Sequence, residues 1–259
     1  MTLLTLSELE FDVLWEHLRL AEMPLAIKVA SPGKTHVERE VVAKAVWDTL
    51  AERGLVGGAL GIDQELVDLL GLLDGADYEL DARLWLDGGV RALIAAKGHD
   101  AVLARLSDGR LTLSPVDIDA LPRAALSLLP ELAAGPGHSI TVPSAELDAA
   151  AAEAETADEL AWILRDHGVS PGEADELAAM VGNVRRRGQF GAAARDRYGR
   201  RHRPDRVIGF FDTPRGRYVQ LRRAKPGGVA WSTIAPADER RLGQHITDLL
   251  NDAVQLTFG

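Results

Sequence analysis

The side chains best suited to chemistry in this chain are its seven histidines, and their spacing argues against a metal centre. His17, His36, His99, His138, His167, His202 and His245 stand far apart. None forms the i, i+4 pair that puts two imidazoles on one helix face for zinc. His36-x-Glu38-x-Glu40 comes nearest to a ligand cluster, but residues two apart on a helix point to different sides, so no cation is expected there. The absence of cysteine removes thiolate zinc sites, iron–sulfur clusters, disulfides and cysteine nucleophiles together, and fits a reducing cytoplasm. The glycine-rich run Gly54-Leu55-Val56-Gly57-Gly58-Ala59-Leu60-Gly61 follows a helix rather than a strand and lacks a P-loop lysine. It reads as a flexible connection between helices, not a phosphate cradle. No serine is expected to act as a nucleophile, and the many acidic pairs are explained by helix caps and solvated faces. No catalytic, metal or cofactor site is expected, and the chain does not read as an enzyme.

Charge offers a second kind of chemistry. The formal net charge is −10, yet the segment from Arg185 to Lys225 holds 14 basic and 3 acidic residues. A basic block of this kind could bind nucleic acid. Strand patterns run through it, so the alternative is that many of its arginines are the outward half of an alternation in an otherwise acidic protein. Apolar residues at 46% and charged residues at 26% are ordinary globular values. No run of 18 apolar residues suggests a membrane span, and the acidic N-terminus does not read as a secretory signal.

The elements follow from periodicity. Tyr78, Leu80, Ala82, Leu84 and Leu86 alternate with Glu79, Asp81, Arg83, Trp85 and Asp87, which predicts a strand with one buried face. Short breaks at Asp87-Gly88-Gly89, Gly98-His99-Asp100 and Asp108-Gly109 divide residues 78–116 into a four-strand antiparallel meander. Before it, the sequence predicts a helix over 8–20, a short strand at Leu25–Ala30, a long helix after Thr35 with Val37, Val41, Val42, Val46 and Leu50 inward, and a helix at Asp63–Leu73. A Pro-interrupted helix at 117–132 follows it. Ala134-Gly135-Pro136-Gly137 is the best linker. Beyond it come a short strand at Ser139–Val142, helices at 144–154 and 156–168, a helix from Ser170 to about Arg186, four strands at 188–195, 206–211, 217–223 and 229–234, and a last helix ending near Asp252. Ser7/Glu10, Thr35/Glu38, Thr156/Glu159 and Ser170/Glu173 have capping-box spacing.

The two halves run through the same order of elements, and local strings agree: Ala45–Gly54 with Glu159–Gly168, and Leu111–Asp117 with Trp231–Asp238. This predicts an internal duplication, with pseudo-repeats at about 21–134 and 138–254 within one domain spanning 1–259. Two such units would join their strands into one broad antiparallel sheet. Trp15, Trp47 and Trp162 have core-like helical spacing. Trp85 lies on the polar side of its strand, so either helices cover that side or Trp85 belongs to a binding surface. The face holding Phe190, Phe211 and Trp231 poses the same choice.

Several stretches together resemble the EspG family, the secretion-associated chaperones of actinobacterial type VII (ESX) systems. They are Trp15 followed by Glu22-Met23-Pro24-Leu25, the helix ending at Ala45–Leu55, the meander start at Arg83–Ala95, and Val229–Leu242. The resemblance spans nearly the whole chain. It implies an α+β fold, a central antiparallel β-sheet flanked by α-helical bundles in two pseudo-twofold-related halves. It also implies a non-enzymatic, cytoplasmic function without cofactors: binding the helical tip of the PPE protein in PE–PPE heterodimers before export, with a homodimer open as an assembly state. Carried onto this chain, the family's contact surface falls on Leu86, Asp87, Gly88, Gly89 and Val90 in the first meander turn. It continues on Leu160, Ile163, Leu164, Leu177, Met180, Val181 and Val184 in the C-terminal helical bundle. The turn is short here, which shifts weight to the bundle and the sheet.

Overall fold

Helix starts are set by local chemistry. In the computed structural model of the chain, which describes residues 3–57, 61–224 and 228–258, Ser7, Thr35 and Thr156 each accept from the backbone N–H three residues on. The glutamate at that position reaches back to the cap's own N–H, so two orphan donors are satisfied at each helix end. Ser170 differs: it caps Glu173 N–H, but the Glu173 carboxylate takes the Ser170 hydroxyl at 2.6 Å instead of a backbone N–H.

The chain opens with β1 (Leu4–Ser7) and three helices, α1 (Glu8–His17), α2 (His36–Glu52) and α3 (Gln64–Leu73). The meander follows as β2 (Tyr78–Trp85), β3 (Gly89–Lys97), β4 (Asp100–Ser107) and β5 (Arg110–Val116), and a 3-10 turn leads into α4 (Leu121–Leu126). The same order then recurs: β6 (Ile140–Pro143), α5 (Ser144–Glu153), α6 (Ala157–Asp166), α7 (Pro171–Val181), β7 (Arg186–Arg195), a two-residue β8 (Arg201–His202), β9 (Ile208–Thr213), β10 (Gly216–Ala224), β11 (Ala230–Pro236) and α8 (Glu239–Gln255).

All strands form one antiparallel sheet in the order β1-β5-β4-β3-β2-β7-β9-β10-β11-β6, with β8 paired to β7. Read from either end, this order is edge strand, last meander strand, and inward to the first. The halves therefore meet at β2 and β7, and a pseudo-twofold axis passes between them. The register there is continuous, from Tyr78 opposite Ala194 to Trp85 opposite Arg187.

Strand alternation sorts the sheet into two faces. Leu80, Ala82, Leu84, Ala92, Ile94, Phe190, Phe210 and Val219 face one way and bury against α4 and α8. On the other face, Leu93, Ala95, Val102, Ala104 and Leu113 pack under α1–α3. Phe211, Tyr218 and Ile234 pack under α5–α7. Each three-helix bundle thus covers the outer strands of its own half. Over β2 and β7, where the halves join, that face is uncovered along part of its length.

Several sequence expectations change. Leu25–Ala30 is a turn rather than a strand, with Ile27 N–H bonded to Pro24 O, and the edge strand of this half is β1. Val37 and Val41 are exposed rather than inward, because Val46 and Leu50 alone are the fully buried residues of α2. The helix expected to reach Arg186 stops at Val181, since Asn183 takes a left-handed φ of 57° and β7 begins at Arg186. The helix expected over 117–132 shrinks to the 3-10 turn and α4. The linker is pinned rather than loose. Gly135 N–H donates to Arg217 O at 3.1 Å and the Tyr218 hydroxyl donates to Pro136 O at 3.0 Å. A Cβ on Gly135 would come within 2.1 Å of the Tyr218 ring, so this close approach requires glycine. In the glycine-rich connection, Gly58, Ala59 and Leu60 lie outside the described residues, as does Lys225 at the end of the basic block.

Candidate functional site

The uncovered strip over β2 and β7 is where the chain's outward polar alternation converges. Arg83 and Trp85 project from β2, and Arg187 and Gln189 project from β7 on the same face by register. All four are exposed. Two hollows lie along this strip and share Arg83 and Gln189. The larger, of about 1100 Å³, opens between the sheet and the α5–α7 bundle. The smaller, of about 810 Å³, lies toward Met23-Pro24-Leu25 and the end of α3.

The larger groove has two unlike walls. On the helix side are Ala151 and Ala154 at the end of α5, Ala157 opening α6, and Ala178 and Val181 at the end of α7, with Asp148, Glu155 and Thr156 along its edge. Alanine loses no rotamer entropy when covered and lets another backbone come close, so this wall suits a helical partner. On the sheet side are Trp85, Arg83, Arg187, Gln189, Gln220 and Phe211. Trp85 is 61% exposed, so no helix covers it. Its ring lies across the turn, close enough that a Cβ on Gly89 would sit 3.8 Å away.

The residues carried over from the family separate into two groups. Gly89, Val90, Leu160, Val181 and Val184 line this one groove, so the structure brings the meander turn and the bundle together. Asp87 stands at the turn, exposed and paired with Arg186 at 2.9 Å; Gly88 adjoins it, and Leu86 packs at the edge of the α4/α8 core. Ile163, Leu164, Leu177 and Met180 are interior to the α5–α7 bundle. They hold the bundle together and do not present themselves to solvent. Leu160 is buried too, and only its edge reaches the groove. Among the tryptophans, Trp15 is buried, and Trp47 is half-buried with its ring 4.7 Å from that of His17. Trp162 is 65% exposed, contrary to its core-like spacing. Phe190 and Phe211 are both buried, on opposite faces of the sheet. The alanine wall and the polar floor of Gln189 and Gln220 were not singled out from sequence. The signal for the floor was the polar phase of the strand alternation.

Half of the basic block, seven of its 14 cationic residues, is the counter-charge of acidic side chains. Arg201 reaches Glu79 at 2.7 Å, and Arg195 reaches the same carboxylate at 3.7 Å. Arg203 pairs with Asp81, and that hydrogen bond, against some burial, holds its guanidinium above the ordinary pKa. Arg206 pairs with Asp252 of α8, Arg222 with Asp148 of α5, and Arg217 with Asp212. Asp196 takes the His202 ring at 3.0 Å and backbone N–H groups from Tyr198 and Arg200; these contacts, the His202 bond first, keep its carboxyl below the usual range and fix the β7–β8 hairpin. That part of the positive run is spread over acidic partners from both halves of the chain.

The remaining candidates are structural. Glu38 is engaged by the backbone N–H groups of Lys34 and Thr35, so His36-x-Glu38-x-Glu40 has no free ligand set. No group of three or more His, Asp or Glu able to hold a metal occurs among the described residues. Gly168-Val169-Ser170-Pro171-Gly172 has the letters of a nucleophile elbow. It joins two helices rather than a strand and a helix, and its serine is the α7 cap. Ser31 of Ser31-Pro32-Gly33-Lys34 bonds to Asp12. No described helix is long and apolar enough to cross a membrane.

A model of the EspG family matches residues 7–248. The chain is 24% identical over 247 residues to the ESX-1 secretion-associated protein EspG1 of Mycobacterium tuberculosis, covering 92% of this chain and 83% of that protein. Its fold is similar to that of the M. tuberculosis type VII secretion system chaperone EspG5, whose structure was solved in complex with a PE25–PPE41 dimer. The TM-score is 0.72, with 18% identity and 96% of each chain covered.

Proposed function

We infer that this chain, which belongs to the EspG family, is a type VII secretion chaperone that captures a PE–PPE heterodimer through the helical tip of its PPE subunit and keeps it soluble for export. The observation that carries this is the groove between sheet and bundle, with Trp85 and the meander turn on one side and an alanine wall on the other. An apolar helical tip laid into it would be held by helix-in-groove burial. The exposed indole is the kind of large anchor that dominates such interfaces. The chain acts as a binding protein, not an enzyme, and works in the cytoplasm. We propose likewise that it is one domain made of two copies of a β-ααα-ββββ-α unit, the first starting at β1 and the second at β6.

Co-expression with PE–PPE pairs from the same genome, followed by size-exclusion chromatography, tests this reading. The expected result is a 1:1:1 complex with a cognate pair. Failure to co-elute with any pair would overturn it.

A further inference from the structure

The paired state of the arginines around the groove makes two of them stand out. Of the arginines that line the two hollows, Arg195, Arg201, Arg203 and Arg222 have acidic partners. Among the described residues, Arg83 and Arg187 have none, and both are exposed on the groove floor in a chain of net charge −10. The sheet even sets like charges against each other there. Arg83 lies directly opposite Arg91 in the β2–β3 register, and such a pair weakens a sheet. Arg91 is already engaged, donating to Lys28 O at 2.6 Å and lying 3.8 Å from Glu8. On the other side, Arg187 lies directly opposite Trp85.

Two unpartnered guanidinium groups on adjacent strands, beside an exposed indole and facing a wall of alanines edged by Glu155 and by Asp148, which is already paired with Arg222, define a partner of mixed chemistry. We propose that the captured segment carries a carboxylate side chain next to its apolar anchor, and that this carboxylate docks on Arg83 and Arg187. Guanidinium suits this role because it grips a carboxylate through two parallel N–H donors. The alanine wall receives the apolar side of the same helical segment. The inference rests on the chaperone reading and adds a selection rule to it: tips lacking the acidic residue are poor clients.

The test compares wild type with Arg83→Gln/Arg187→Gln and with the single variant Arg187→Gln. Binding of the purified cognate PE–PPE heterodimer is measured by isothermal titration at 50 and 500 mM NaCl, alongside thermal melts of each free chaperone. The double variant should bind on the order of tenfold to hundredfold more weakly at low salt. Wild-type affinity should fall with salt and the variant's should not. Free-protein melting temperatures should stay level or rise, because the arginines repel in the free state. A charge swap completes the case: Arg187→Glu should lose binding and regain it when the facing acidic residue of the tip becomes lysine. If wild type captures the heterodimer and the double variant captures it equally well, the carboxylate inference fails while the chaperone reading stands. If wild type captures no cognate heterodimer, both fall.

Discussion

Arg217 and Asp212 form the most deeply buried ion pair in the described part of the chain, with 1% and 2% of their surfaces exposed. They lie opposite each other in β9 and β10, on the face covered by α4 and α8. Arg217 Nε and Nη2 reach the two Asp212 oxygens at 2.7 and 2.9 Å, and Nη2 also donates to Pro130 O at 3.0 Å. Replacing Arg217 with methionine keeps the stem's packing but strands a carboxylate in the core. That costs about 3–5 kcal/mol, and the orphaned Pro130 carbonyl adds about 1 kcal/mol. With a urea slope of about 2–3 kcal/mol per molar, the unfolding midpoint of Arg217→Met should fall by roughly 1.3–3 M, read by tryptophan fluorescence. The double variant Arg217→Met/Asp212→Leu removes both charges and should recover most of the loss. Because the pair lies on the face away from the groove, affinity for the PE–PPE heterodimer per folded molecule should not change. A single-variant loss below about 1 kcal/mol, or a double variant as unstable as the two single losses added together, would refute the reasoning.

Glu10 gives a pH-dependent counterpart. Burial pushes its carboxyl up, but the Ser7 N–H and the two-pronged Arg53 contact at 2.7 and 2.8 Å outweigh it and set the group below its usual 4.5. A carboxyl depressed in the fold contributes stability above its unfolded value and loses it as pH falls through the folded one. Glu10→Gln should therefore cost about 1–3 kcal/mol at pH 7 and flatten the decline in melting temperature below pH 4.5, so that the two curves converge; parallel curves would contradict this. The bundle offers a paired comparison. Leu177→Asp places a charge in the sealed core of α5–α7 and should abolish cooperative melting. Val184→Asp, at the half-open groove rim, should leave the melt within about 0.5 kcal/mol of wild type while losing co-elution with the heterodimer.

Much of the fold could be read locally, because its units have short-range causes. The alternation at Tyr78–Leu86 gave β2, its buried face and its exposed partner residues. Three reciprocal capping boxes placed the starts of α1, α2 and α6. The repeated order of elements predicted the shared sheet. What failed locally was decided by tertiary context. A four-residue edge strand such as β1 has too few residues for its period to register, while Leu25–Ala30 is apolar enough to imitate one. Val37, Val41 and Trp162 sit at positions whose spacing implies burial, yet nothing packs over them.

The site was legible only in part, for a reason that belongs to the symmetry. Each half carries a three-helix bundle that covers its own outer strands, and joining the halves through β2 and β7 brings together the two strands that neither bundle reaches. The groove is thus a property of the junction and belongs to neither half alone. From sequence, the polar phase of β2 looked like a solvent face, and the arginines after residue 185 looked like a separate basic segment. The register reunites them: Asp81 and Glu79 of one half take Arg203, Arg195 and Arg201 of the other. These ion pairs lie toward the Tyr78 end of the strip and bridge the halves there, leaving Arg83 and Arg187 free toward the end where Trp85 and the meander turn form the rim. Charge segregation between the halves therefore does two things at once. It ties the two halves together at their junction, and where the pairing runs out it leaves a cationic, partly apolar groove facing the bundle.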